Sequence, residues 1–258
     1  MPDEDTQAVL TERRDGVLLI TLNRPDARNA VNLALAEGVA AALDDLDESD
    51  DVAVGVLTGA GEGLSAGMDL KAFTTGERPW VGDRGFAGIV RRASAKPLIA
   101  AIEGFAVAGG FEIALACDLI VAARDARIGI PEAKRSLVAA GGALIRLPKR
   151  MPYHVAMEMA LTGDPIRAER AHQLGVVNRL AEPGNAVQVA LELAAEIARN
   201  GPLALEASKK IVANALDWTE AEAWEKQGAI TGPVFTSEDA REGAIAFAEK
   251  REPVWKGR

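Results

Sequence analysis

Two glutamates are the residues of this sequence best suited to proton transfer. Glu112 is the only charged residue in AVAGGFEIALAC, residues 106–117. Apolar neighbours desolvate a carboxylate, which raises its pKa toward the range where it exchanges protons at neutral pH. Glu132 follows a proline in IGIPEAK, residues 128–134, at the end of a short apolar strand. If the chain brings them together, the two form an acid–base pair.

Each glutamate also has a plainer interpretation. Glu112 could cap its own helix or lie on the solvated face of that helix. Glu132 could be a solvated acid in the first turn of a helix that starts with a proline. The sequence leaves these alternatives open.

Two glycine-containing turns could supply hydrogen-bond donors for a developing negative charge. Gly109 and Gly110 lie where a strand leads into a helix, and free N–H groups at a helix start favour negative charge. Gly67 lies in the second turn, within LTGAGEGLSAGMDLKAF, residues 57–73. One N–H from each turn would make a two-donor oxyanion hole. The alternative is an ordinary turn in which Gly67 is required for its backbone angles.

Other chemistries have less support in the residues. His154 and His172, the only histidines, lie in polar helical stretches, so we expect them at the surface. A Ser-His-Asp arrangement stays open, but no G-x-S-x-G nucleophile motif occurs. The single cysteine, Cys117, lies in an apolar helix and is predicted to be a core residue. No metal-ligand spacing occurs, so no metal is predicted.

An α/β core must position these residues. The 258 residues, 48% hydrophobic and 26% charged, can form one large domain or one domain with an appendage. Apolar runs typical of buried strands alternate with helical patterns; the strand runs are 17–22, 52–57, 98–102 and 119–122, and the helices are 33–46 and one from Gly109. We predict an α/β core over residues 1–185.

The remainder, 186–258, is predicted to be all-helical. Residues 187–198 and 238–250 have helical apolar spacing, and Thr219 with Glu222 can form a capping box. Short helices with apolar faces must pack on their own core or on another subunit, which predicts a homo-oligomer.

Charge and hydropathy exclude several classes of partner. The net charge of −9 argues against nucleic acid and against anionic membranes. Residues 98–123 are long enough to span a bilayer, but Glu103, Glu112 and Asp118 interrupt them, so we predict buried core. The acidic N-terminus does not resemble a signal peptide, and a cytoplasmic location is expected.

These segments together resemble the crotonase superfamily, the enoyl-CoA hydratases and isomerases. The resemblance covers nearly the whole chain; its motifs are NRPDARNAVN (23–32), GAGEGLSAGMDLKAF (59–73), AIEGFAVAGGFEIALACDLIVAA (101–123), PEAK (131–134), LTGDPIRAERAHQLGVVNRL (161–180) and EDAREGAIAFAEKREPVWKGR (238–258). It implies a spiral of ββα units with C-terminal helices used in trimerisation, and trimers that pair into hexamers. The implied substrate is an acyl-CoA thioester. No separate cofactor is implied, because coenzyme A is part of that substrate.

The resemblance also implies residue roles. The N–H groups of Met68 and Gly109 would hold the thioester oxygen, Glu112 would activate the attacking water, and Glu132 would deliver a proton to Cα. The residues implied in coenzyme A binding are Ala27, Ala66, Asp69, Leu70 and Lys71, with Arg24, Arg28, Lys250 and Arg251 as further sources of positive charge for its phosphates. The predicted activity is that of an enoyl-CoA hydratase, a carbon–oxygen lyase.

Three alternatives remain at this level. GFAG (85–88), RLPK (146–149) and AFAEKREPVWKGR (246–258) are similar to carnitinyl-CoA dehydratases, which act on crotonobetainyl-CoA. That subgroup is expected to carry Trp where this chain has Met68. An enoyl-CoA isomerase is the second alternative, although the two glutamates favour a hydratase. The third is a non-catalytic relative that binds acyl-CoA or RNA.

Overall fold

The computed structural model describes residues 7–92 and 94–258. The strands are β1 (Val9–Arg14), β2 (Val17–Leu22), β3 (Val54–Gly59), β4 (Trp80–Val81), β5 (Gly85–Phe86), β6 (Leu98–Ile102), β7 (Phe105–Val107), β8 (Leu119–Ala123), β9 (Arg127–Gly129), β10 (Ile166–Arg167) and β11 (Arg179–Ala181). The α-helices are α1 (Leu33–Glu48), α2 (Leu70–Thr74), α3 (Gly109–Ala116), α4 (Ala143–Arg150), α5 (Tyr153–Thr162), α6 (Ala168–Gln173), α7 (Ala186–Ala198), α8 (Pro202–Asn214), α9 (Glu220–Phe235) and α10 (Glu238–Glu249).

A six-stranded sheet in the order β1-β2-β3-β6-β8-β11 forms the centre of the fold. Only the β1–β2 pair is antiparallel; β2 and the strands beyond it pair in parallel. Helix α1 covers one face with Leu35, Val39 and Leu43. Helix α7 covers the other, where Leu193 and Ala194 join a separate apolar cluster. Burial on both faces explains why the inner strands β2, β3, β6 and β8 are largely continuous apolar runs rather than alternating ones.

A smaller sheet, β10-β9-β7, positions the two glutamates. Strands β7 and β9 pair in parallel, with Phe105 opposite Arg127 and Val107 opposite Gly129. Their carboxyl ends therefore meet at one edge. Helix α3 leaves β7 there, and a short 3₁₀ helix, Pro131–Arg135, follows β9.

Residues 98–123 are buried core, as predicted. They form β6, β7, α3 and β8, and every residue of β6 is buried. Within residues 7–92 and 94–258, no helix is long and apolar enough to cross a membrane.

The predicted C-terminal helices are present. Thr219 and Glu222 form the capping box, and α10 ends one residue before the predicted end at 250. The α8 side chain of Lys209 forms an ion pair with Asp118, with Nζ and Oδ2 2.7 Å apart, which ties this region to the core. Because α7 packs on the central sheet, the helices beyond the α/β layers begin with α8. A domain boundary at 186 stays a prediction.

Most predicted element bounds agree with the structure. The exact matches are 17–22 and 98–102, whereas the strand predicted at 52–57 begins at Val54. The mixed α/β class is confirmed.

Candidate active site

Glu112 is a buried carboxyl on the first turn of α3, only 4% exposed. It does not cap its own helix; its Oε1 accepts a hydrogen bond from the N–H of Ala143, at the start of α4, at 3.1 Å. Burial raises its pKa to about 7, and the negative charge of Glu132 contributes to that rise. The Ala143 hydrogen bond opposes the rise. At neutral pH this carboxyl can therefore both accept and release a proton.

Glu132 is half-buried in the 3₁₀ helix Pro131–Arg135, in the first turn after the proline. Its Oε2 is buried and has no hydrogen-bond partner among the described residues. Desolvation raises its pKa, and the charge of Arg135 opposes that rise. Glu132 thus lies in the first turn of a helix that starts with a proline, as the plainer interpretation predicted. Its side chain, however, is not solvated as that interpretation required.

Both carboxyls open onto one cavity of about 410 Å³. Its lining is predominantly apolar and comprises Arg28, Ala66, Met68, Leu70, Trp80, Phe86, Val107, Ala108, Gly109, Glu112, Pro131, Glu132, Arg135, Leu137, Val138, Ala140 and Gly141. An apolar cavity with a few convergent polar groups is typical of a small-molecule site.

Met68 and Gly109 also line this cavity. Gly109 is the first residue of α3, so its N–H has no acceptor within the helix. Among the described residues, neither amide donates to any protein acceptor.

The two loops that carry these amides approach closely. A Cβ on Gly67, where φ is +92°, would lie 2.8 Å from the Gly109 nitrogen. A Cβ on Gly110 would lie 2.1 Å from the carbonyl oxygen of Ser65. The glycines are therefore required for the approach of the loops. Ala108, at φ +53° before α3, is a non-glycine residue in the left-handed region, a strain typical of functional sites.

The predicted coenzyme A residues divide into two groups. Ala66 and Leu70 line the cavity, whereas Asp69 caps α2, accepting from the N–H groups of Lys71 and Ala72 and pairing with Arg24 at 3.1 Å. Asp69 therefore fixes the loop instead of facing the cavity.

Of the other predicted residues, Arg28 lines the cavity, whereas Ala27 and Lys71 do not. Ala27 ends the 3₁₀ helix Pro25–Ala27, directly before cavity-lining Arg28, and Lys71 is exposed on α2. Of the proposed phosphate partners, Arg251 forms ion pairs with Glu242 and Glu249.

Sequence reasoning missed the aromatic wall of the cavity. Trp80 and Phe86 lie edge to face, with ring centroids 5.4 Å apart, and both line the cavity. Strands β4 and β5 are too short to produce an apolar periodicity. The only signal was GFAG, residues 85–88, which contains Phe86.

Comparison with known proteins now identifies the family. The family model described as Enoyl-CoA hydratase/isomerase matches residues 12–258. The chain belongs to the enoyl-CoA hydratase/isomerase family. This confirms the resemblance on which the predicted fold and activity depend.

Relatives in this family include hydratases and dehydratases of CoA thioesters. Enoyl-CoA hydratase EchA19 of Mycobacterium tuberculosis is 42% identical over 256 residues, covering 96% of each chain. Carnitinyl-CoA dehydratase of Escherichia coli K12 is 41% identical over 254 residues, covering 95% of this chain and 97% of the relative. The similarity to family enzymes over nearly the full length shows that this chain is an enzyme with hydratase-type activity.

Solved structures of the family have the same fold. Enoyl-CoA hydratase EchA1 from Mycobacterium marinum is 57% identical, with 98% of this chain and 100% of that chain covered and a TM-score of 0.96. Carnitinyl-CoA hydratase from Mycobacterium avium is 43% identical at the same coverage, with a TM-score of 0.79.

Proposed function

We propose that this enzyme adds water across the 2,3 double bond of a 2-enoyl-CoA thioester. One observation carries the proposal: two carboxyls with raised pKa values share an apolar cavity with Met68 and Gly109, whose backbone amides have no acceptor among the described residues. Each carboxyl can transfer one proton, and the two amides together can stabilise an oxyanion.

The reaction then follows from the geometry. The thioester oxygen accepts hydrogen bonds from the N–H groups of Met68 and Gly109, which stabilise the negative charge that develops as water attacks Cβ. Ionised Glu112 takes a proton from that water. The two carboxyls share one proton at the start, and Glu132 gives a proton to Cα from Oε2, which has no hydrogen-bond partner among the described residues. One proton is taken up and one is released, so the net addition is one water molecule.

The cavity lining supports an uncharged acyl group. Apart from the two glutamates, its charged side chains are Arg28 and Arg135, which repel a cation. A crotonobetainyl-CoA hydratase is the second candidate, because Trp80 and Phe86 present aromatic rings of the kind that hold trimethylammonium groups. The similarity to carnitinyl-CoA dehydratases also favours this second candidate.

We further propose that Ala27, Ala66, Asp69, Leu70 and Lys71 form the coenzyme A loop. Asp69 fixes the start of α2, and Arg28, stacked over the Phe105 ring at 4.4 Å, brings positive charge to the cavity. The enzyme would need no separate cofactor, because the thioester itself supplies the electron-withdrawing group.

The C-terminal helices support a trimer or a dimer of trimers. Large apolar side chains on α8, α9 and α10 are exposed, Val212 at 75%, Phe235 at 80% and Phe247 at 87%. Light scattering of the purified chain would give three or six times the protomer mass if these faces form the subunit contacts.

The test follows the ultraviolet absorbance of crotonyl-CoA and the product mass. Hydration removes the conjugated absorbance and adds the mass of one water. Equal or faster turnover of crotonobetainyl-CoA would favour the second candidate. A change in double-bond position without added mass would indicate an isomerase, and tight binding of crotonyl-CoA with no change in absorbance would indicate a binding protein.

A further inference from the structure

Arg146 connects two backbone segments beside Glu112. It lies on the first turn of α4 and folds back toward the residues that precede the helix. Its guanidinium donates to the carbonyl oxygen of Gly141 at 3.3 Å and to that of Val90. A planar guanidinium suits this task because it can donate to two carbonyls from a fixed geometry.

The segment that Arg146 holds surrounds the carboxyl group of Glu112. The Ala143 N–H donates to Glu112 Oε1, and the Gly141 backbone also stabilises the ionised form. Gly141 packs so tightly that a Cβ there would lie 2.5 Å from Glu112 Oε2. Gly142 has φ +110°, so the turn between them is one that other residues rarely adopt. The position of these amides therefore depends on the conformation of this turn.

We propose that Arg146 is a positioning residue for Glu112: by clamping the Gly141 and Val90 carbonyls it holds the 141–143 turn against the carboxyl group. Its effect on rate rests on the proposed hydratase function, but its effect on Glu112 does not. Arg146 does not line the cavity, so it acts through the turn and through its charge.

The charged groups around Glu112 determine the direction of the effect. Glu132, on the neighbouring 3₁₀ helix, disfavours the ionised form of Glu112, and Arg146 favours it. Arg146 itself is near Arg150 and Cys117. Loss of Arg146 removes a positive charge and frees the amides, so the pKa of Glu112 rises further and less of it is ionised at neutral pH.

The experiment compares Arg146→Met and Arg146→Lys with Arg150→Met. Arg150 lies one turn further along α4 and donates to the Leu115 carbonyl at 2.6 Å, away from Glu112, which makes it a matched control. For Arg146→Met we expect kcat with crotonyl-CoA to fall about 10- to 100-fold, the cost of a misplaced catalytic group. KM should change little, the acid limb of the pH profile should move to higher pH, and added guanidinium should restore part of kcat.

Arg146→Lys keeps the charge but not the two-carbonyl clamp, so its acid limb should lie between those of the wild type and Arg146→Met. This variant carries the test if Arg146→Met does not fold. Arg150→Met should keep the wild-type pH profile. A folded Arg146 variant with wild-type kcat and acid limb would overturn the proposal, as would an equal shift of the acid limb in Arg150→Met.

A direct titration separates this proposal from the proposed function. Carbon-13 NMR of labelled glutamate carboxyls, with the Glu112 signal assigned through Glu112→Gln, measures the pKa without turnover. A higher Glu112 pKa in Arg146→Met supports the positioning role even if crotonyl-CoA is not hydrated. An unchanged pKa in the folded variant contradicts it even if the enzyme is active.

Discussion

The two glutamates lie on cavity walls of different construction. Glu112 is buried on α3 and its carboxyl group is held by the N–H of Ala143. Glu132 is half-buried on a short 3₁₀ helix, and its Oε2 has no hydrogen-bond partner in residues 7–92 and 94–258. The chain that follows Glu132 is exposed, with Leu137 at 42% and Val138 at 70%.

The difference separates two requirements of the site. Under the proposed function, the α3 wall, which includes Gly109, would fix the positions of a carboxyl group and an amide that must not move during catalysis. The wall after Glu132 presents apolar side chains with few constraints, so its shape can vary while the reaction stays the same. We expect kcat to depend on the α3 wall, and the preference for acyl-chain length to depend on the wall after Glu132.

Among backbone changes in the α3 wall, the largest effect is expected for Gly109→Ala. Its Cβ would lie 2.6 Å from the Phe86 ring and 3.3 Å from the Gly67 Cα, so the amide must shift. Loss of one oxyanion donor costs about 100- to 1,000-fold in kcat. Steady-state kinetics with crotonyl-CoA measure the loss, and thermal unfolding shows whether the variant is folded.

Met68→Leu is the matched comparison, because it changes the side chain and keeps the amide. Its loss in kcat should be far smaller than that of Gly109→Ala. Equal losses in the two variants would mean that the backbone amides are not what the site requires.

A smaller effect, on stability, distinguishes the two carboxyls. The pKa of Glu112 is raised from 4.5 to about 7, so ionisation destabilises the folded state, and this cost appears as pH rises from about 4.5 through 7. Glu112→Gln removes the cost and should raise the free energy of unfolding at pH 8 by about 1–3 kcal/mol, with the gain vanishing near pH 5. Thermal melts at both pH values measure it. Glu132→Gln should also raise the free energy of unfolding at pH 8, but by less. A larger gain for Glu132→Gln than for Glu112→Gln would mean that Glu132, and not Glu112, has the more constrained carboxyl group.

The smallest effects on kcat are expected from substitutions in the wall after Glu132. Leu137→Ala and Val138→Ala remove apolar area from the cavity without touching either carboxyl. We expect kcat with crotonyl-CoA to stay within about threefold of the wild type, while kcat/KM for longer enoyl chains changes up to about tenfold. Rates over a series of chain lengths measure this. A uniform loss of kcat at every chain length would show that this wall also positions the chemistry.

Local signals were sufficient to predict much of the fold. The buried strands 17–22 and 98–102, the helix start at Gly109 and the Thr219–Glu222 capping box each depend on neighbouring residues, and each is present. The apolar neighbours of Glu112 also favoured its burial, although the sequence left a solvated position open. The family resemblance supplied the architecture that local patterns do not encode.

The convergence of the glutamates could not be derived from local patterns. It depends on the parallel pairing of β7 with β9, and nothing in either three-residue strand specifies that partner. The aromatic wall was missed for a similar reason, because Trp80 and Phe86 meet through a two-residue hairpin pairing. The turn at Gly141 beside Glu112 is contacted by Arg146, five residues away, through a side-chain hydrogen bond that local patterns do not specify.

The most direct test of the two-glutamate account is crotonyl-CoA hydration by the wild type, Glu112→Gln and Glu132→Gln. Each variant keeps the shape of its side chain and loses the ability to exchange a proton, so loss of general acid–base catalysis should cost about 100- to 10,000-fold in kcat. The account predicts that the wild type removes the enoyl absorbance and that both folded variants lose at least about 100-fold. A folded variant of either glutamate that hydrates crotonyl-CoA at the wild-type rate would contradict it.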